Sequence, residues 1–100
     1  MKNINADQLI ELIKTDNHLM VLDVRTAGEV AGGMIEGAIN HDIFSSDFPE
    51  KVNTLDKTRT YVVVCASGNR SATACRFMES NGFTVYNLVG GMSAWSGVMV

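Results

Sequence analysis

The chain has 100 residues, 46% hydrophobic and 19% charged, with a net charge of −3 and a pI near 5.2. That length fits one compact domain over 1–100, and the composition supplies an ordinary core and excludes wholesale disorder. No basic run occurs, which argues against a nucleic-acid surface, because such surfaces draw their affinity from Lys and Arg contacts to phosphate.

Asn5 and Gln8 form a capping-box pattern, and Leu9, Ile10, Leu12 and Ile13 then share a helical face, so the first helix is expected over 6–14. MVLDV (20–24) reads as a buried strand. Thr26 and Glu29 repeat the capping pattern and predict a short helix that stops at Gly32-Gly33. AINH (38–41) is expected to be a short strand, and SDFPEKVNTL (46–55) a helix or helical turn with Pro49 early, where its missing N–H matters least. YVVVC (61–65) lacks polar alternation, the mark of a strand covered on both faces.

From Ser71 to Asn81 the spacing turns helical. Ala74, Cys75, Phe77 and Met78 lie on one arc, Thr73, Arg76, Glu79 and Ser80 on the other, and Gly82 follows as a C-terminal cap. TVYNL (84–88) predicts a last strand, and GGMSAW (90–95) the opening of a closing helix. Short buried strands alternating with helices define an α/β domain around a largely parallel sheet.

Two cysteines ten positions apart, with no CxxC, suit neither a disulfide scaffold nor a structural zinc site, and two histidines make a metal centre unexpected. The start MKNINADQ lacks the apolar stretch of a signal peptide, and no run reaches the length of a membrane span. A cytoplasmic protein with no membrane or nucleic-acid partner is the expectation.

The segment CASGNRS (65–71) carries the chemistry. In parallel sheets, ligands bind beyond the carboxyl ends of strands, which is where Cys65 falls. Ala66, Ser67, Gly68 and Asn69 are small enough for their backbone N–H groups to converge, and Gly68 and Asn69 tolerate positive φ. Such a nest, running through Ser71 into a helix N-terminus, holds an anion and favours a thiolate at Cys65. Arg70 adds a planar cationic fork at the rim. By contrast, Cys75 lies on the apolar arc and reads as core. His18 and His41 have no catalytic partner by spacing. The six methionines and Trp95 read as core filling.

With these residues in view, the chain resembles a single-domain rhodanese over nearly its whole length. The resemblance rests on LDVRTAGEVAGGMIEGAIN (22–40), VVVCASGNRSATAC (62–75), GFTVYNLVGG (82–91) and GGMSAW (90–95), in the expected order, with a C-x-x-G-x-R-S loop. It implies a central five-stranded, mostly parallel sheet flanked by helices on both faces. It further implies a sulfurtransferase, working without a cofactor and expected to be a monomer, whose Cys65 takes a sulfane sulfur from an anionic donor such as thiosulfate. The resulting persulfide passes its sulfur to cyanide, a thiol or a protein cysteine. The backbone of Ala66, Ser67, Gly68, Asn69, Arg70 and Ser71 would hold the persulfide, and Arg70 would orient the donor's sulfonate. Asp23, Arg25 and Glu29, in a block that packs near the loop in the family, would support the fold, with Arg25 paired to Glu29.

Two positions depart from the family pattern: Met34 replaces its usual histidine and Glu36 its usual proline. The loop also differs from the form associated with mercaptopyruvate donors. A phosphatase or arsenate-reductase reading is the rival suggested by related cell-cycle phosphatases, which use the same fold with one more residue between Cys and Arg. The four-residue spacing here makes a tighter cup, sized for sulfur. A non-catalytic interaction module or persulfide carrier is the rival of another class, although such modules typically lose the cysteine that this chain retains.

Overall fold

The computed structural model describes residues 1–100. Five strands form one sheet in the order β1-β5-β4-β2-β3, every pair parallel. They are β1 (Lys2–Ile4), β2 (Leu19–Asp23), β3 (Ile39–Asn40), β4 (Thr60–Val64) and β5 (Thr84–Leu88). The helices are α1 (Ala6–Thr15), α2 (Ala27–Val30), α3 (Phe48–Asn53) and α4 (Asn69–Ser80), with a closing 3-10 turn at Gly91–Ala94. The only antiparallel pairing is an isolated bridge between Ile35 and Met99. No helix is long and apolar enough to cross a membrane.

The central strand β4 explains the two-layered core. Successive side chains of a strand point to opposite faces. Tyr61 and Val63, with Cys65 just beyond the strand, meet Phe48 and Val52 of α3 and Ala74, Cys75 and Met78 of α4. Val62 and Val64 face the other way, onto Leu9 of α1, Ile35 and Leu88, with Met92 and Trp95 packed at the margin. A strand covered on both faces needs no polar alternation, which accounts for the unbroken run YVVV.

Local chemistry sets the ends of several elements. Both capping boxes form: Asn5 and Gln8 exchange hydrogen bonds at 2.8 Å each way, and Thr26 and Glu29 exchange them at 3.1 and 3.3 Å at the start of α2. α4 begins at Asn69 rather than Ser71, because Gly68 at φ +107° turns the chain directly into the helix. The expected closing helix is a single 3-10 turn, since Trp95 is already extended. β1 lies outside the sequence expectations. Only Ile4 of its three residues is buried, and it becomes a strand by pairing with the free edge of β5.

The carboxyl ends of the strands gather polar residues at one edge of the sheet. Asp23 ends β2, Asn40 ends β3, Cys65 follows β4, and Asn87 is the penultimate residue of β5.

Candidate active site

Cys65 is 1% exposed, at the floor of a cup made by the turn from β4 into α4. Its Sγ accepts the Gly68 N–H at 3.0 Å and lies 3.3 Å from Ser71 Oγ. The first rung of α4 runs from the Ala72 N–H to Gly68 O, so the N–H groups of Asn69, Arg70 and Ser71 have no acceptor within the helix. Burial raises the pKa of the Cys65 thiol. The Ser71 hydroxyl, when its one proton turns to the sulfur, and the N–H groups of Ser71, Gly68 and Ser67 lower it by more, leaving it below the ordinary value. Cys75 has no such donors. It is fully buried in the core, and burial pushes its thiol up to about 12.

Two supports that sequence reading missed hold the cup from below. Ser71 Oγ donates to Asn87 Oδ1 at 2.5 Å, and Asn87 Nδ2 donates to Gly68 O and to Asn3 Oδ1, each at 3.3 Å. The one available signal was a polar residue inside the otherwise apolar stretch TVYNL. The second support is the 3-10 turn. Met92 N–H donates to Cys65 O at 2.8 Å, and the Ser93 N–H and hydroxyl both donate to Ala66 O, at 3.0 and 2.9 Å. Gly91, at φ +55°, makes this approach possible, because a Cβ there would lie 2.3 Å from Cys65 O.

The rim corrects one expectation. Arg25 does not pair with Glu29. Its guanidinium turns back onto Asp23, with Nε 3.1 Å from both carboxylate oxygens and one terminal nitrogen 2.9 Å from Oδ2, and that nitrogen also donates to Gly33 O at 2.8 Å. The reason is burial: the Asp23 carboxylate is inaccessible to solvent, and a buried charge left unpaired is strongly destabilising. Glu29 instead takes Arg70 in a two-pronged pair, each terminal guanidinium nitrogen 2.7 Å from one carboxylate oxygen. Arg70, with the N–H and hydroxyl of Thr26, holds the Glu29 carboxyl at about 2, and Glu29 in turn raises Arg70. The ring of Phe44, 70% exposed, lies 5.7 Å from the Arg70 guanidinium carbon.

Ala66 and Ser67 form the outer wall of the loop, and Asn69 is exposed in the first turn of α4. His18 is exposed, and His41 lines a separate polar hollow with Asn40, Asp42, Ser45, Asp47 and Lys51. Met34 and Glu36 are tied to the end of the chain, through Met34 N–H to Val100 O and Glu36 N–H to Val98 O. No three His, Cys, Asp or Glu side chains stand together as metal ligands.

The model of the Rhodanese-like domain matches residues 5–97, and the chain belongs to that family. It is 44% identical over 97 residues to the putative sulfurtransferase YtwF of Bacillus subtilis, covering 97% of this chain and 92% of that one. It is 30% identical to the thiosulfate sulfurtransferase GlpE of Shewanella oneidensis, covering 94% and 91%. Among solved structures it superposes on a rhodanese-related protein from Thermoplasma volcanium with a TM-score of 0.89 at 37% identity, covering 100% and 98%. A rhodanese-like domain protein from Staphylococcus aureus gives 0.87 at 35%, covering 96% and 92%.

Proposed function

We propose that the protein is a sulfurtransferase that carries a sulfane sulfur as a persulfide on Cys65, with thiosulfate as a donor that loads it. The observation that carries this reading is the Cys65 sulfur at the floor of the cup, with the Gly68 N–H 3.0 Å away and the Ser71 hydroxyl beside it. The names of the relatives above support the same class of reaction.

In the first step the Cys65 thiolate attacks the outer sulfur of thiosulfate. A new S–S bond forms at Cys65, the donor's S–S bond breaks, and its electron pair leaves with sulfite. Three negative charges enter, and three leave as persulfide and sulfite. In the second step a thiolate acceptor, or cyanide in an assay, attacks the outer persulfide sulfur, and Cys65 leaves as thiolate. The reaction balances without an external oxidant, reductant or cofactor. The charge moves outward by one sulfur atom, and the N–H groups of Ser67, Gly68 and Ser71, which already act on the Cys65 sulfur, are the donors we assign to it. Asp23 and Arg25 hold the neighbouring strand end, and the Ser71–Asn87 pair holds the cup's floor.

Two covalent half-reactions predict ping-pong kinetics. Initial rates of thiocyanate formation, with thiosulfate and cyanide both varied, should give parallel double-reciprocal lines, and Cys65→Ser should give none. Intersecting lines, or turnover surviving in Cys65→Ser, would refute a persulfide on this residue.

A further inference from the structure

We infer that Glu29 is a specificity-determining residue: by filling the fork of Arg70 it handicaps dianionic sulfur donors and favours donors whose sulfur is carried on a thiol. The inference rests on the sulfur-transfer reading above and names the donor class of the same cup.

A guanidinium recognises a sulfonate best through two parallel N–H bonds, one from each terminal nitrogen. At the rim of this cup both terminal nitrogens are already spent on Glu29, at 2.7 Å each. The pair is anchored from the far side as well, since Glu29 Oε1 also accepts the N–H and hydroxyl of Thr26. Phe44 covers the guanidinium face at 5.7 Å. A sulfonate reaching Arg70 must displace a carboxylate from good geometry or settle for the leftover N–H groups.

The charges lead to the same conclusion. With Cys65 ionised, Glu29 and Arg70 cancel, and Asp42 lies close enough to act on Arg70. Thiosulfate, with two negative charges, approaches a rim with no free cation at Arg70 and a thiolate below. A persulfide on a neutral carrier brings at most the charge on its own sulfur. Exposed Phe44, beside the cup's rim, offers such a carrier an apolar contact that thiosulfate cannot use. The step remains balanced: Cys65 bonds to the outer sulfur of R–S–SH, the donor's S–S bond breaks, its electron pair leaves as R–S⁻, and the transferred sulfur keeps its proton.

Glu29→Gln tests this directly, because glutamine retains an acceptor for the Thr26 N–H while losing the charge that holds Arg70. Loading of Cys65 would be followed with thiosulfate and with the persulfide of N-acetylcysteine methyl ester, charged only at its sulfur. The kcat/KM ratio of thiosulfate to persulfide should rise about tenfold in Glu29→Gln, mainly through a lower KM for thiosulfate, the scale of one charge-assisted hydrogen bond gained by the donor. In Glu29→Gln/Arg70→Ala the gain should vanish, since no fork is left to release. A ratio that stays level or falls in Glu29→Gln, or a gain that persists in the double variant, overturns the inference while leaving sulfur transfer intact. If the unaltered protein loads from neither donor, the sulfur-transfer reading fails and this one falls with it. Thermal unfolding of each variant separates a change of donor from a loss of fold.

Discussion

Cys65 and Cys75 belong to the same buried cluster, yet their thiols are driven in opposite directions. Burial acts on both. Only Cys65 meets hydrogen-bond donors, and that difference leaves one thiol easier to ionise and the other a piece of core. At neutral pH, iodoacetamide should therefore modify Cys65 and leave Cys75 untouched in the folded protein; modification of Cys75 first would contradict the account. Ser71 is the donor most open to test. Its one hydroxyl proton goes to Asn87 Oδ1 while Cys65 is a thiol and lowers the Cys65 pKa by turning to the thiolate, so Ser71→Ala should move the midpoint pH of alkylation up. A midpoint unchanged or lowered would remove Ser71 from that role. Cys65 and the glycine-bearing turn were legible in the sequence because loop chemistry is local. Asn87 and the Glu29–Arg70 pair were not: both depend on which strand or helix lies beside the loop, and 41 residues separate Glu29 from Arg70.

Among the elements, the unit that matters is β4, the cup and α4, braced from beneath by the 3-10 turn. Methyl substitution at Gly91 meets backbone, namely Cys65 O at 2.3 Å and the Ala66 carbonyl carbon at 2.7 Å, so the loop or the turn has to move. Gly91→Ala should cost about 1–3 kcal/mol in urea unfolding, the range for overpacking and strained backbone. Loading of Cys65 per folded molecule should drop as well. Full loading in a destabilised Gly91→Ala protein would mean that the brace serves stability alone. The capping boxes of α1 and α2 and the apolar runs of β2, β4 and β5 were readable because each is written within a few residues. The 3-10 turn was read as a helix start because its glycines answer to the approach of Cys65, a partner 26 positions away. β1 was unreadable for the same reason, as its strand character comes from β5.

For the whole molecule, the two apolar layers on either face of the parallel sheet supply stability, and the polar edge supplies chemistry. Leu22, fully buried in the central part of the sheet, belongs to the first role: Leu22→Ala should cost about 2–5 kcal/mol in urea unfolding while folded molecules still load sulfur. Acid should weaken the fold partly through Glu29. Its carboxyl in the folded protein lies below the ordinary 4.5, so its contribution is present above that pH and disappears as pH falls toward about 2. The pair is a third exposed on the Glu29 side, so solvent screening keeps this contribution modest. Glu29→Gln should flatten the slope of stability against pH within that window, and an unchanged slope would show that the pair contributes nothing to the fold. The central claim is that Cys65 becomes a persulfide, and intact-protein mass after incubation with thiosulfate measures it most directly. The protein should gain the mass of one sulfur atom, keep that gain in Cys75→Ser, lose it on addition of cyanide, and show none in Cys65→Ser. No gain with either thiosulfate or a thiol-borne persulfide, or a gain that survives in Cys65→Ser, would contradict it.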